Sequence, residues 1–206
     1  MELIYGTTNV SKLASMQRVA DLLGIKIIGL KDVGMPLPHI EEIGKDPLEN
    51  AIIKARAYYK AFGRPVFSCD SGLYFEDVED SLQPGIHVRR IGGEELNDDQ
   101  MQEYYSSMAK NHGKPLIGRY RNAICLVLDE KRIYTSMDES LSSERFIMAA
   151  TPHPKRLPGF PLDSLSIDIE SGKYYYDLGD LMVDRSAVKE GFYRFFKGVL
   201  FEDDKR

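Results

Sequence analysis

The opening of the chain is the feature that most constrains its fold. A short apolar run at residues 3–5 stops at the turn-forming cluster Gly6-Thr7-Thr8-Asn9. Apolar residues then recur at helical spacing from Ser11 up to Gly24, and residues 25–30 are predicted to form a second strand. A buried strand, a polar loop, a helix and another strand are typical of α/β layered proteins, in which helices cover the faces of a sheet.

Elements of both kinds continue along the rest of the chain. Asp46-Pro47-Leu48-Glu49 is a strong helix start, because aspartate can cap, proline is tolerated in the first turn and glutamate follows three residues after the cap. Further helices are predicted over residues 97–110 and from about residue 186 to 199. Strands are predicted at residues 66–68, 117–128, 133–136 and 146–149, and the middle two form an antiparallel hairpin.

These elements predict an α/β fold with an elongated, mixed central sheet flanked by helices. The β-rich middle, residues 115–150, is expected to form one lobe. Residues 1–114 and 151–206 are expected to form a second, α/β lobe, with a cleft between the two. No linker is evident, so the 206 residues are expected to form a single domain.

The charge balance and the cysteine count narrow the functional class. Lysine and arginine number 27 and aspartate and glutamate 32, so the net charge is −5. Nucleic acids and anionic membranes reward a basic surface, and we therefore expect neither as a partner. Two cysteines, Cys69 and Cys125, predict a reducing, cytoplasmic setting. No basic segment precedes an apolar run at the start and no run reaches 18 apolar residues, which predicts neither signal peptide nor membrane span.

The loop at residues 7–12 joins a predicted strand to a predicted helix. Backbone N–H groups at a helix N-terminus favour an anion, and Lys12 adds a full positive charge in the first turn. The loop is therefore a candidate anion site. The alternative is an ordinary capped turn with a solvated lysine, because hydroxyl and amide residues are common caps.

Two carboxylates are candidate metal ligands. Glu49 is either a capping-box member or a ligand that shares an ion with a second carboxylate and a phosphate. Asp70 is predicted to follow a strand directly, where open α/β sheets carry their site residues. An Asx-turn is the alternative for Asp70.

Other reactive residue types give weaker signals. The four histidines show no metal-ligand spacing, so a zinc site is not expected. Cys69 is predicted to pack rather than to act as a nucleophile. Arg89 and Arg90 are candidate phosphate contacts, although surface arginines usually have no such role. The aromatic run Tyr174-Tyr175-Tyr176 is predicted to pack on a strand or against the core, with base stacking as the alternative.

Taken together, these segments resemble the inosine/xanthosine triphosphate pyrophosphatase family, which acts on non-canonical purine nucleotides. The motifs occur in the family's order and at close to its spacing over residues 3–93. They are Thr8-Asn9 with Lys12, Glu49-Asn50-Ala51 with Lys54-Ala55, Asp70-Ser71-Gly72-Leu73, and Pro84-Gly85 with Arg90 and Gly93. Arg121-Asn122-Ala123 and Gly159-Phe160 with Asp163 are weaker matches further along.

The resemblance implies hydrolysis of a nucleoside triphosphate to a monophosphate and pyrophosphate with Mg²⁺, and a homodimer. Glu49 and Asp70 would bind the ion, and Asp70 would also position or deprotonate the attacking water. Substrate contacts would come from the following residues: Thr8, Asn9, Lys12, Ser71, Arg90, Phe160, Asp163 and Arg185. By the same analogy, Lys12 and Asp70 would be the catalytic pair.

Several positions depart from the family pattern. Cys69 and Ser15 stand where the family usually has acidic residues, and Ser164 replaces a proline. The family's Ser-His-Arg motif corresponds to Val183-Asp184-Arg185, so only its arginine is retained, and a lysine is missing near Gly179. The leading hypothesis is thus a pyrophosphatase with altered base specificity. The alternatives are a catalytically weak nucleotide-binding sensor or interaction protein, and an acidic α/β protein without a nucleotide site.

Overall fold

The computed structural model describes residues 1–179 and 186–202. Its strands and α-helices are, in chain order, β1 (Glu2–Tyr5), α1 (Val10–Asp21), β2 (Lys26–Gly29), α2 (Pro47–Phe62), β3 (Val66–Phe75), β4 (Arg90–Ile91), β5 (Glu94–Glu95), α3 (Asp98–Asn111), β6 (Leu116–Val127), β7 (Ile133–Ser136), β8 (Phe146–Met148), β9 (Ser166–Asp168) and α4 (Ser186–Lys197). Within these residues, no helix is both long and apolar enough to cross a membrane.

The main sheet is mixed, which confirms the predicted α/β class. Its strand order is β2-β1-β3-β6-β8-β9, and β7 pairs with β6. Parallel pairing joins β1 to β2 and β3, and antiparallel pairing joins β6 to β7 and β8, and β8 to β9. The crossover from β1 to its parallel neighbour β2 is made by α1, as parallel pairing requires.

The first of two compact units contains residues 1–71, 121–142 and 186–202. One of its apolar clusters joins α1, α4 and the strands. In it, the ring of Tyr5 stacks on Phe67, and the rings of Phe67 and Phe196 form a T-shaped contact. A separate cluster joins α2 to β6 through Ala51, Ala55, Ala123, Cys125 and Val127. Side chains alternate along strands, so these clusters lie on opposite faces of the sheet.

The second unit contains residues 72–120 and 143–179. Its core packs Leu73 and Phe75 of β3 against Tyr105 of α3 and Phe146 of β8. Helix α3 is capped by Asn97, whose side chain accepts from Gln100 N–H while the Gln100 side chain accepts from Asn97 N–H. That capping box begins the helix where the sequence predicted it.

The two units differ from the two predicted lobes. One predicted lobe contained residues 1–114 and 151–206, and the other contained residues 115–150. Residues 121–142, which include the end of β6 and all of β7, belong to the first unit. The reason is packing: Ala123, Cys125 and Val127 are buried against α2. A separate lobe made of the β-rich middle would leave that apolar face uncovered.

Candidate functional site

Asp70 lies in the middle of β3, and the prediction that it follows the end of a strand was wrong. β3 continues through Cys69-Asp70-Ser71-Gly72 to Phe75, although aspartate, serine and glycine usually favour turns. Pairing within the sheet overrides that local preference. The Asx-turn alternative for Asp70 is therefore also wrong.

Two residues of α2 hold the Asp70 carboxylate. Lys54 Nζ donates to Oδ1 at 2.8 Å, and Asn50 Nδ2 donates to Oδ2 at 3.2 Å. Lys54 also pairs with Glu42 at 3.1 Å. Burial lowers the pKa of Lys54, but the charges and hydrogen bonds of Asp70 and Glu42 outweigh it, so the net pKa is raised. The site thus contains a fixed carboxylate beside a protonated ammonium group.

Asn50 links the carboxylate to the segment that precedes α2. The Asn50 side chain is buried, and its Oδ1 accepts from Gly44 N–H at 2.8 Å. A Cβ atom at Gly44 would lie 2.6 Å from that Oδ1, so a side chain at this position would displace the bond. Neither Asn50 nor Lys54 was assigned a role from the sequence. Their four-residue separation on a predicted helix, which places both on one face, was the signal that identifies them.

Glu49 occupies the first turn of α2, one residue before Asn50. Asp46 Oδ1 accepts from Glu49 N–H at 2.9 Å, which confirms the predicted cap. Glu49 Oε2 accepts from Lys45 N–H at 2.8 Å, whereas a capping box would direct it to the N–H of Asp46. One oxygen of the Glu49 side chain therefore binds the backbone of Lys45, the residue before the cap. The capping box predicted for Glu49 is therefore not formed, although the side chain does bind a backbone N–H, and its role as a metal ligand stays a prediction.

The loop between β1 and α1 is a capped helix start. Asn9 Oδ1 accepts from Lys12 N–H at 3.1 Å, and Thr7 Oγ1 accepts from Asn9 N–H at 3.2 Å. Thr8, Asn9 and the Lys12 side chain are exposed. The loop is therefore a capped turn, as the alternative hypothesis predicted. It also presents a helix N-terminus and a lysine charge to solvent, as a phosphate site requires.

Cys69 points to the opposite face of β3 from Asp70. It packs against the cluster that contains Tyr5 and Phe67, and the Tyr5 hydroxyl is its hydrogen-bond partner. Burial raises the pKa of the thiol to about 12, and the nearby positive charge of Lys12 only partly opposes this. A thiol that stays protonated is a poor nucleophile, so the prediction that Cys69 is a packing residue is confirmed.

Ser71 donates its hydroxyl proton to Asn122 Oδ1 at 2.7 Å, and Asn122 Nδ2 donates to Leu141 O at 2.6 Å. The three residues join β3, β6 and the segment after β7. A substrate contact by Ser71, which the resemblance implied, would have to use the lone pairs of its hydroxyl oxygen.

The remaining predicted substrate contacts belong to the second unit. Arg90 is exposed on β4, and Phe160 is half-buried ahead of the 3₁₀ turn Pro161–Leu165, which contains Asp163. Ser164, the departure from proline, is buried and bonds to Gln102 of α3 and to Pro161 O. Arg185 and Asp184 lie outside the described residues.

The aromatic run behaves as the packing hypothesis predicted. Tyr175 contacts Phe146 edge to face, and the Tyr174 hydroxyl donates to Thr151 O at 2.7 Å. His153 lies near the rings of Tyr174 and Tyr176, with its Nε2 3.2 Å from Asp177.

No group of three or more histidine, cysteine, aspartate or glutamate residues is placed to hold a metal ion in the part of the chain that the structure describes. A Mg²⁺ site needs fewer protein ligands, because the ion keeps several waters and uses substrate phosphates together with one or two carboxylates. Glu49 lies on α2 and Asp70 on β3, and their role as Mg²⁺ ligands stays a prediction.

The chain is similar to known proteins over the region that contains most of these motifs. The sequence profile of the Ham1 family matches residues 3–142, which confirms the family that the motifs indicated. A curated protein named dITP/XTP pyrophosphatase from Leptospira interrogans is 35% identical over 98 residues, which are 48% of this chain and 48% of that protein. One of the same name from Bacillus licheniformis is 37% identical over 97 residues, 47% of this chain and 48% of that protein. The chain thus spans about half the length of the curated relatives it matches.

Solved structures show the same fold over nearly the whole chain. The Ham1 protein of Staphylococcus aureus has a TM-score of 0.75 at 20% identity and covers 96% of this chain and 99% of its own. A HAM1 protein from Coxiella burnetii has a TM-score of 0.75 at 24% identity, covering 94% and 96%. At these identities the likeness concerns the fold alone.

Proposed function

The chain belongs to the Ham1 family, and from that membership we propose that it hydrolyses a purine nucleoside triphosphate to a monophosphate and pyrophosphate with Mg²⁺. The curated relatives named dITP/XTP pyrophosphatase support this reaction class. The observation that carries the proposal is the Asp70 carboxylate, which Asn50 and Lys54 hold by both oxygens on a central strand.

The oxygen donors fit Mg²⁺. Each carboxylate oxygen has two lone pairs, so Asp70 can accept from Lys54 and Asn50 and still offer a lone pair to an ion. Glu49 uses Oε2 in its bond to Lys45, and Oε1 is its other oxygen. We assign both carboxylates as the ligands. When bound, Mg²⁺ would neutralise charge on the leaving pyrophosphate and lower the pKa of the attacking water.

The chain's own residues have distinct roles in this proposal. Asp70 orients the attacking water and accepts its proton. Lys54 holds Oδ1 of Asp70 and adds positive charge beside it. Asn9 and Thr8 at the start of α1, together with Lys12, bind phosphate oxygens through N–H groups, a hydroxyl and an ammonium charge. Most of the acceleration in phosphoryl transfer comes from such positioning and charge stabilisation.

Base selection is the second part of the proposal. Phe160 offers an aromatic face, and stacking is tolerant of base identity because every base has a π-face. The family pattern implies a histidine and a lysine that bind the purine edge, and this chain has Asp184 in place of the histidine and lacks the lysine near Gly179. Replacing buried polar partners changes selectivity more than it changes the reaction itself. We therefore propose altered base specificity.

A nucleotide-binding sensor of low activity is the other candidate, and Cys69 is the observation that favours it. The pKa of its partly buried thiol is raised to about 12, so at neutral pH this residue stays uncharged, whereas an acidic residue would add a negative charge next to Asp70 in the sequence. A homodimer and a cytoplasmic location, consistent with the free cysteines Cys69 and Cys125, complete the proposal.

A panel of nucleoside triphosphates with Mg²⁺, scored for pyrophosphate release and for thermal shift, tests these hypotheses. Release of pyrophosphate supports the enzyme, and stabilisation without release supports the sensor. If neither occurs, the third hypothesis, a protein without a nucleotide site, is correct. Asp70→Asn is the matched control, because it keeps the size of the side chain and abolishes its role as base.

A further inference from the structure

Asp98 has a carboxylate that its helix does not need as a cap. Asn97 already caps α3 through the reciprocal bonds with Gln100. The Asp98 carboxylate instead leaves the helix and bonds to two other segments of the second unit.

Each oxygen of Asp98 contacts the residue immediately before a proposed substrate ligand. Oδ1 accepts from Arg89 Nη2 at 2.7 Å, and Arg89 precedes Arg90. Oδ2 accepts from Gly159 N–H at 2.9 Å, and Gly159 precedes Phe160. One carboxylate thus joins the segment that contains Arg90 to the turn that contains Phe160.

Both bonded neighbours are themselves constrained. Arg89 Nη1 donates to Leu96 O at 3.0 Å, and Leu96 N–H donates to Arg89 O at 2.8 Å, so the β4–β5 hairpin closes on this arginine. Gly159 has φ of 81°, which other residues adopt only with strain, and Phe160 N–H donates to Leu157 O at 3.0 Å. A bond to the Gly159 N–H therefore fixes the direction in which Phe160 leaves the turn.

We infer that Asp98 is a positioning residue, which sets Arg90 and Phe160 at the spacing that a nucleotide requires. This inference rests on the proposed function, because it assumes that Arg90 contacts phosphate and Phe160 contacts the base. Arg90 and Phe160 are substrate-binding residues in this inference, and neither belongs to the catalytic pair Lys12 and Asp70. Disturbing them weakens binding equally in the ground state and the transition state, which raises KM and leaves kcat unchanged.

Asp99 provides a matched control. It is the next residue of the same helical turn, has the same charge near the same helix dipole, and pairs with Arg156 of the segment that leads to Gly159. It does not bond to the neighbour of either ligand. A general effect of charge or helix stability would appear in both variants.

The experiment measures pyrophosphate release from inosine triphosphate with Mg²⁺, and calorimetric binding of its α,β-imido analogue. We expect Asp98→Ala to raise KM and the analogue's Kd at least tenfold, with kcat within threefold of the wild type. Asp98→Asn, which keeps an acceptor oxygen, is expected to show a smaller increase. Asp99→Ala is expected to stay within twofold of the wild type.

A mutant cycle that combines Asp98→Ala with Phe160→Ala and Arg90→Ala separates a positioning role of Asp98 from a general structural role. When both ligands are already absent, Asp98→Ala is expected to cause less than a twofold further change in Kd. The inference is overturned if Asp98→Ala binds as the wild type does, or if its full effect persists without the two ligands. A wild-type protein that neither hydrolyses nor binds nucleotide overturns the proposed function and this inference together, whereas normal wild-type activity with unaffected Asp98 variants overturns this inference alone.

Discussion

Lys54 Nζ lies 2.8 Å from Asp70 Oδ1, and the two side chains keep only 12% and 15% of their surface exposed. Lys26 and Glu2 form a pair of almost the same length, 2.7 Å, with 71% and 48% of their side chains exposed. Removing one partner of a buried pair leaves an uncompensated charge away from water. Removing one partner of an exposed pair leaves a charge that water solvates.

Lys54→Met is therefore expected to lower the free energy of unfolding by about 3 kcal/mol, as for other broken buried pairs. Lys26→Met is the control and is expected to cost less than about 1 kcal/mol. Urea unfolding at pH 7 measures both changes. Equal losses in the two variants would show that the burial of the Lys54–Asp70 pair has no energetic consequence.

Glu49→Gln separates the two hypotheses for Glu49. The glutamine oxygen can still accept from Lys45 N–H, so the melting temperature is expected to change little. If Glu49 is a Mg²⁺ ligand, pyrophosphate release falls by orders of magnitude because the charged ligand is lost. Asp46→Asn, which keeps a good cap at the same helix end, is expected to retain activity. Normal turnover by Glu49→Gln would leave the contact with Lys45 N–H as the role of Glu49.

Gly6→Ala is expected to destabilise the protein by about 1–3 kcal/mol through overpacking. The added Cβ would lie 2.1 Å from Ser68 Oγ and 2.8 Å from Tyr58 Cδ2. Gly198→Ala, whose Cβ would meet no neighbouring atom within 4 Å, is the control and is expected to be neutral or slightly stabilising.

A double variant identifies the source of that clash. Adding Ser68→Ala to Gly6→Ala removes the closest contact, and it is expected to recover part of the stability seen in thermal unfolding. If Gly6→Ala is as stable as Gly198→Ala, the close approach between β1 and β3 at this position is not a constraint.

Local chemistry was enough to predict much of the fold. Asp46 caps α2, Gly63 ends it with φ of 62°, and Asn97 caps α3. Each signal is satisfied by atoms within a few residues, so it can be identified without knowledge of the tertiary structure. The hairpin of β6 and β7 is predicted for the same reason.

Long-range contacts explain what the sequence did not predict. The predicted strand covered only residues 66–68, but β3 continues past Gly72. Gly72 lets the backbone of Gly85 approach, since an added Cβ would lie 2.9 Å from Gly85 O. Leu73 N–H and Gly85 N–H each donate to the other residue's carbonyl. The partners of Asp70, Asn50 and Lys54, are 20 and 16 residues away in sequence, so only the packing of α2 on β3 brings them together.

The buried thiol of Cys125 predicts a loss of stability in alkali. Burial raises its pKa from 9.0 to about 11, and the charge of Arg56 opposes this only weakly. Between about pH 9 and pH 11 the unfolded chain loses this proton while the folded chain keeps it, so stability falls as the pH rises. Cys125→Ala is expected to make this fall less steep.

Urea unfolding from pH 7 to pH 11 measures that slope. The variant carries a constant offset from the lost sulfur atom, so the comparison concerns the change with pH and not the value at pH 7. Identical slopes in the wild type and in Cys125→Ala would mean that the thiol ionises equally in the folded and unfolded states.

The expected preference of the protein among nucleotide bases depends on Phe160 and Asp184. The proposed stacking of a base on half-buried Phe160 would be worth roughly 1–3 kcal/mol for any base. Asp184 stands in place of the histidine of the family motif, and an ionised carboxylate accepts hydrogen bonds and repels a keto oxygen. We therefore expect kcat/KM for inosine triphosphate to exceed that for each of the four common triphosphates by less than about a hundredfold, or about 2.7 kcal/mol of differential transition-state binding. A larger preference, measured by pyrophosphate release under kcat/KM conditions, would show that other residues form the base pocket.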